Sequence, residues 1–264
     1  MLYRIFKILQ NIQIIFCEIL SLFLLNTSKN KYSGGKNMSG RIKEKEDRLK
    51  YYKNLFKNEK LFPEENNKIY ISGIVEEDFY YGFKINKEVY YRTRVKVECL
   101  KGRVDYIPIS ISESFKDINW KESIKGKKIR IAGQLFSRDV KADGKNHLDL
   151  YVFVTSAQLI EEEDDFKPEN FIYLNGYVCK EPICRITQYN RKLTDVILAV
   201  NRNKPGCDYI PAIAFFESAD RTAEACVGTN MEIYGRLQSR NYKKLGIKKI
   251  AYEVSIKNID RISI

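Results

Sequence analysis

Histidine is almost missing from these 264 residues, with His147 standing alone. The six cysteines, Cys17, Cys99, Cys179, Cys184, Cys207 and Cys226, form no CxxC pair. Lacking both patterns, the sequence signals neither a zinc site nor a histidine-based catalytic relay, and no cofactor is expected. Scattered thiols in strand-like stretches fit a reduced compartment and small core positions. Long apolar runs are equally scarce. Ile14 to Leu25 is broken by Glu18, falls well short of the roughly 20 apolar residues of a spanning helix, and precedes no small-residue cleavage site. A membrane anchor is therefore disfavoured.

What is present is positive charge and flat rings. Lys and Arg number 46 against 34 Asp and Glu, a formal charge of +12, with 18 Tyr and 14 Phe. That balance makes a polyanion the default partner, with nucleic acid ahead of an anionic membrane. A 44% hydrophobic content over this length is enough for two domains of ordinary size.

Residues 1–37 differ from the rest. Ser33, Gly34, Gly35, Lys36 and Asn37 lie directly before Met38, and two glycine codons followed by a lysine codon can spell a purine-rich ribosome-binding signal. The expectation is that Met38 is the start and that the first 37 residues are translated upstream DNA or an apolar leader. From Ser39 to Phe62 charges alternate while Leu49, Tyr52, Leu55 and Phe56 recur at helical spacing. This predicts an amphipathic leader helix within 38–65, docked by that stripe on the first domain, with a DNA-contacting arm carrying Lys50, Lys53, Lys57 and Lys60 as the alternative.

The decisive feature is an internal repeat. Asn67 to Val75 (NKIYISGIV) returns as Asn170 to Val178 (NFIYLNGYV), and Asp105 to Ile109 (DYIPI) as Asp208 to Ala212 (DYIPA). Ile129 to Asp139 (IRIAGQLFSRD) returns as Met231 to Asn241 (MEIYGRLQSRN), one residue closer. The unit of about a hundred residues is a domain. We therefore expect domains at 66–160 and 169–264, joined by the acidic stretch 161–168 that ends in Pro168. Within a copy, Ile69–Val75, Tyr90–Cys99, Ile107–Ile111, Lys128–Leu135 and Leu148–Val154 alternate apolar and polar residues. A helix is expected between the third and fourth strands, at Phe115–Ile124 and again at Ser218–Cys226. Five strands in this order make an OB barrel, so the fold class is all-β with short helices: two tandem five-stranded OB-fold barrels after a helical segment. Gly73, Gly133, Gly176 and Gly235 fall mid-strand, where a small barrel bends.

The second and third strands of an OB barrel, with their loops, form the face that takes nucleic acid. In the second copy that face gathers Arg185, Thr187, Tyr189, Arg191, Asn201, Arg202 and Tyr209, with Arg236, Arg240, Tyr242 and Lys243 on the fourth strand. In the first it gathers Tyr91, Arg92, Arg94, Lys96, Lys101, Arg103, Tyr106, Arg138 and Lys141. Rings would stack on bases and cations would meet phosphates.

The runs Asn170–Val178, Leu198–Arg202, Asp208–Pro211 and Gly235–Tyr242 resemble the strand motifs of bacterial single-stranded DNA-binding proteins and the related primosomal replication protein N, tandem clostridial-type members being most alike. The resemblance runs from Asn67 to the C-terminus. It implies non-catalytic, sequence-tolerant binding of single-stranded DNA in replication, recombination or repair, with aromatic roles for Tyr209, Tyr242 and Tyr106. It also implies a bacterial cytoplasmic, nucleoid-associated protein, with replication or primosome proteins as partners and barrels that assemble into homo-oligomers. Val140 departs where Tyr242 would be echoed, so the first copy is expected to bind more weakly or to serve mainly as structure. Ile259–Ile264 departs from the acidic tail of the standard family. An RNA-binding or primosome-assembly module, an OB-fold enzyme using Glu161–Asp165 as a metal site, and a membrane-anchored adaptor remain as alternatives.

Overall fold

The computed structural model describes residues 38–63, 65–99, 102–142, 144–160, 166–203, 205–244 and 247–263, with backbone alone at 38–42, 142, 145, 243, 244 and 247–249. The expectations for residues 1–37 and for the linker's 161–165 fall outside them. The chain divides into two compact units, 1–50 and 51–264. The described part of the first is helical, within α1 (Met38–Leu55), and its side chains from Lys43 to Lys50 are exposed except half-buried Leu49.

In the second unit each repeat forms one barrel. The first contains β1 (Asn67–Val75), β2 (Tyr80–Ile85), β3 (Glu88–Glu98), β4 (Val104–Ser112), β5 (Lys128–Ala142) and β6 (Lys145–Ile160). The second contains β7 (Glu169–Val178), β8 (Ile183–Ile186), β9 (Lys192–Asn201), β10 (Cys207–Phe215), α2 (Glu217–Ala223), β11 (Asn230–Lys244) and β12 (Ile247–Ser263). Strand order is β3-β4-β6-β5-β1 with β1 returning to β3, and β9-β10-β12-β11-β7 with β7 returning to β9. These are the five strands expected of each OB barrel. The additions are β2 and β8, which extend the second OB strand into a hairpin.

Alternation explains the core. Ile69, Ile71, Val95, Val97, Ile107, Ile109, Ile131 and Leu135 point inward in the first barrel, with Ile172, Leu174, Leu198, Val200, Ile210, Ile233 and Leu237 in the second. Gly133 and Gly235 sit at register shifts between β5 and β6 and between β11 and β12. A Cβ there would lie 2.3 Å from the Phe153 carbonyl oxygen and 2.4 Å from that of Ser255, so only glycine permits the close approach.

The helix expected at Phe115–Ile124 does not form; that segment is turns. Its Asp, Asn and Ser side chains compete with helical hydrogen bonds. Trp120 Nε1 donates to the Phe115 carbonyl at 3.2 Å, and the Asp78 carboxylate accepts from the Ile124 and Lys125 amides at 3.0 and 3.1 Å. Alanine-bearing Glu217–Ala223 does form its helix, shorter than expected.

The barrels join through β1 and β7, which pair antiparallel from Asn67–Leu174 to Ser72–Glu169. Ile69 lies opposite Ile172, its own counterpart in the repeat, so a local two-fold relates the copies at that pair. Each barrel also anchors its first strand the same way. Asn67 exchanges two hydrogen bonds with the Leu135 backbone, both 2.9 Å, and Asn170 does so with Leu237 at 2.6 and 2.9 Å.

Residues 51–62 cover this seam. The Tyr52 ring stacks on Phe171 with centroids 3.8 Å apart, Phe56 meets Phe62 edge-on at 4.9 Å, and Lys53 Nζ reaches the Asp260 carboxylate at 2.5 Å. Tyr52 and Phe56 thus dock across both copies rather than on the first barrel, because Phe171 of the second meets both rings while Tyr70 of the first meets Tyr52. The helix stops at Leu55 and turns follow, with the Asn58 carboxamide accepting the Lys60 amide at 3.2 Å.

Candidate nucleic-acid interface

On the second barrel, β9 and β10 pair so that Tyr209 faces outward beside Ala199, while Ile210 and Leu198 point to the core. Tyr209 is 50% exposed, an amphipathic ring left half in water. The β8–β9 hairpin rises from the other end of β9, where Ile183 to Ile186 pair with Asp195 to Lys192. Its turn closes with the Thr187 amide donating to the Arg191 carbonyl and the Arg191 amide to Thr187 Oγ1, at 2.9 and 3.2 Å. Thr187 therefore braces the turn, and Asn190 takes its left-handed position at φ 55°. Tyr189 stands 75% exposed at the tip, with Arg191 exposed beside it. Lower on the hairpin, Arg185 meets Asp195 at 2.7 Å. Asn201 is exposed at the end of β9, where its side-chain oxygen accepts from the Cys207 thiol. On β11, Arg240 is exposed with Glu253 at 3.6 Å, and Tyr242 is half-buried. The Lys243 backbone continues that strand.

Arg202 and Arg236 go elsewhere. Asp208 and Asp105, the repeated aspartates, are both buried at the junction of the barrels. Asp208 accepts the Ser137 amide of the other copy at 2.6 Å and pairs with Arg202, which also donates to the Ser137 carbonyl at 2.8 Å. Asp105 accepts the Ser239 amide at 3.0 Å and pairs with Arg236 across the junction, while Arg103 donates to the Ser239 carbonyl at 3.1 Å. The serine hydroxyls complete the exchange by accepting the Tyr209 and Tyr106 amides at 2.8 and 3.3 Å. Both arginines thus hold the copies together.

On the first barrel, Arg94 and Tyr106 face outward on β3 and β4, Arg94 with Glu77 at 3.0 Å and Tyr106 half-buried. Tyr91 packs against Trp120 at 4.2 Å and belongs to the core edge. Lys141 is exposed near the end of β5. Arg138 is drawn into a cluster that sequence reasoning missed. Asp149 accepts from both Arg92 nitrogens at 2.9 and 3.0 Å and from Arg138 at 3.0 Å. The Arg138 guanidinium lies 4.0 Å over the buried Phe83 ring, and Arg92 lies 5.0 Å from Tyr151. Burial pushes the Tyr151 hydroxyl up, partly offset by Arg138. Burial with the Glu88 carboxylate pushes neighbouring Tyr90 to about 12. A position-by-position comparison of the repeats carries the missed signal: Arg138 lies opposite Asp149, but Arg240 lies opposite Ala251.

The two copies therefore differ in availability. The second presents Tyr209, Tyr189, Arg191 and Arg240 to solvent, whereas in the first Tyr91 and Arg138 are engaged within their own barrel and the exposed rings are Tyr80 and Tyr81 of the β2 hairpin. Among the described residues, no group of three or more His, Cys, Asp or Glu could hold a metal, and no helix is long and apolar enough to cross a membrane.

Residues 169–262 match the model of the single-strand binding protein family. The crystal structure of the wild-type single-stranded DNA binding protein from Thermus aquaticus aligns with TM-score 0.60 and 18% identity, covering 74% of this chain and 92% of that chain. A deletion mutant of the same protein aligns with TM-score 0.59 and 16% identity, covering 74% and 93%. At those identities the likeness is one of fold, and it spans both barrels. The dimeric N-terminal domain of PriB protein from Thermoanaerobacter tencongensis aligns at TM-score 0.29 and 25% identity, over 36% of this chain and 98% of that one. No curated protein matches the sequence.

Proposed function

We propose that this chain, whose C-terminal barrel matches the model of the single-strand binding protein family, binds single-stranded DNA without sequence preference and without a chemical step. The observation that carries this is the half-exposed Tyr209 ring on the face of β9 and β10, in a barrel that also exposes Tyr189 and Arg191 on the β8–β9 hairpin and Arg240 on β11. A ring on an OB face stacks with any base because every base has a π-face, and cations track the backbone between stacking points. Arg185, Arg191, Arg240, Asn201 and Lys243 are the proposed backbone contacts of the second barrel. Arg94 and Lys141 are those of the first, with Tyr106 as its stacking ring. Arg202 and Arg236 contribute indirectly, by fixing Tyr209 and Arg240 relative to the neighbouring barrel. Such binding would serve replication, recombination or repair.

Titration of the full chain with labelled single-stranded DNA, duplex DNA and RNA of one sequence tests this. Single-stranded DNA should bind most tightly, and Tyr209→Ala should weaken it at every sequence. Equal affinity for duplex, or an unchanged Tyr209→Ala variant, would remove the face from the site. Tighter binding of RNA would redirect the function to that polymer.

A further inference from the structure

The two barrels share an OB face but fill it differently. In the first, the buried Phe83 ring lies between the Arg138 guanidinium at 4.0 Å and the Tyr90 and Tyr151 rings at 5.0 and 5.5 Å. Beside it, the single carboxylate of Asp149 is shared by both terminal nitrogens of Arg92 and one of Arg138. A flat ring between a guanidinium and tyrosines is how a base would be held; an anion between two arginine forks is how a phosphate would be held. The contact joins the hairpin of β2 and β3 to the hairpin of β5 and β6, the two loops between which an OB barrel takes its strand.

None of this filling is repeated in the second barrel. Phe83 pairs with Tyr90, which lies opposite Ser112; in the matching register Arg185 pairs with Leu193, which lies opposite Phe215. Arg185 therefore stands where Phe83 would, Asp195 where Arg92 would, and Ala251 where Asp149 would, while Arg240 keeps the place of Arg138. The filling is also incomplete. Arg92 Nε and Arg138 Nε are buried with no hydrogen-bond partner, and two guanidinium charges face one carboxylate. A phosphate brings more acceptor oxygens than Asp149 alone.

We propose that the first barrel holds a latent site for one base and the adjoining phosphate of single-stranded DNA, occupied at rest by Phe83 and Asp149, which the strand displaces. The proposal rests on the second barrel being the primary site. Short strands bind there alone. Longer strands reach the first barrel only by breaking the internal contacts, so that barrel engages second and more weakly.

The test compares full-length wild type with Asp149→Asn, which keeps shape and removes charge. An OB domain covers about 4 to 16 nucleotides, so one oligomer of about 8 and one of about 30 separate the barrels. Asp149→Asn should raise affinity for the long oligomer about tenfold or more and leave the short one unchanged. Its long-oligomer salt dependence should also steepen, by about 0.7 in log-log slope per added phosphate contact. Unchanged or reduced long-oligomer affinity in a variant with wild-type circular dichroism overturns the proposal. If Asp149→Asn melts early, Phe83→Leu, which keeps an apolar filler without the ring, is read the same way. Tyr209→Ala measured on the short oligomer keeps the two readings apart, because its failure condemns the primary site and not the latent one.

Discussion

At the scale of single residues, the junction aspartates and the face tyrosines have opposite jobs. Asp105 and Asp208 are buried charges that each receive a serine amide from across the junction, together with a guanidinium, Arg236 from across it for Asp105 and Arg202 of the same barrel for Asp208. Removing one partner of such a pair costs about 3 to 5 kcal/mol, so Asp208→Ala should lower the denaturation midpoint far more than it alters affinity per folded molecule. Tyr209→Ala should do the reverse: thermal stability nearly unchanged and binding weaker by about 1 to 3 kcal/mol, the worth of one stacked base. Thiols offer an independent check. Cys99 donates to Asp105 and is pushed up to about 11, by burial first and that carboxylate second, whereas Cys184 and Cys226 are exposed. Alkylation at pH 8 should label Cys184 and Cys226 first and Cys99 last, read by peptide mapping.

At the scale of elements, periodicity made the β-strands legible and local chemistry hid the rest. The alternation of Ile69–Val75 and Lys128–Leu135, with glycines where strands cross, placed the barrel strands, and the one-residue shift between repeats located their correspondence. The hairpin strands β2 and β8 escaped because Tyr80, Tyr81, Ile183 and Ile186 are apolar yet exposed, so they show no alternation. The candidate site was half legible. Tyr209, Tyr189 and Arg240 do stand on the outer surface, but an arginine bound for a buried aspartate reads the same in sequence as one bound for solvent. Arg202 and Arg236 are that case. The covering segment makes its own prediction. Tyr52→Asp with Phe56→Asp would bury charge against Phe171, so the segment should release, and proteolysis near residue 60 should accelerate while both barrels keep their β circular dichroism.

At the scale of the whole molecule, several tyrosines titrate together. Burial pushes Tyr90 and Tyr173 to about 12 and raises Tyr151, Tyr234 and Tyr252 as well. Folded-state values above the ordinary 10 mean that stability is whole below pH 10 and is lost as pH climbs through about 12. The tyrosinate absorbance contributed by these buried rings should therefore appear together with the loss of β structure over that window.

The β1–β7 pairing makes one chain do what identical subunits do elsewhere by meeting. Dilution cannot part the barrels without unfolding the sheet, so their spacing along a bound strand is independent of protein concentration. A single gene also frees each half to mutate alone: Asp149 in one and Ala251 in the other is a difference that two copies of the same polypeptide could never carry.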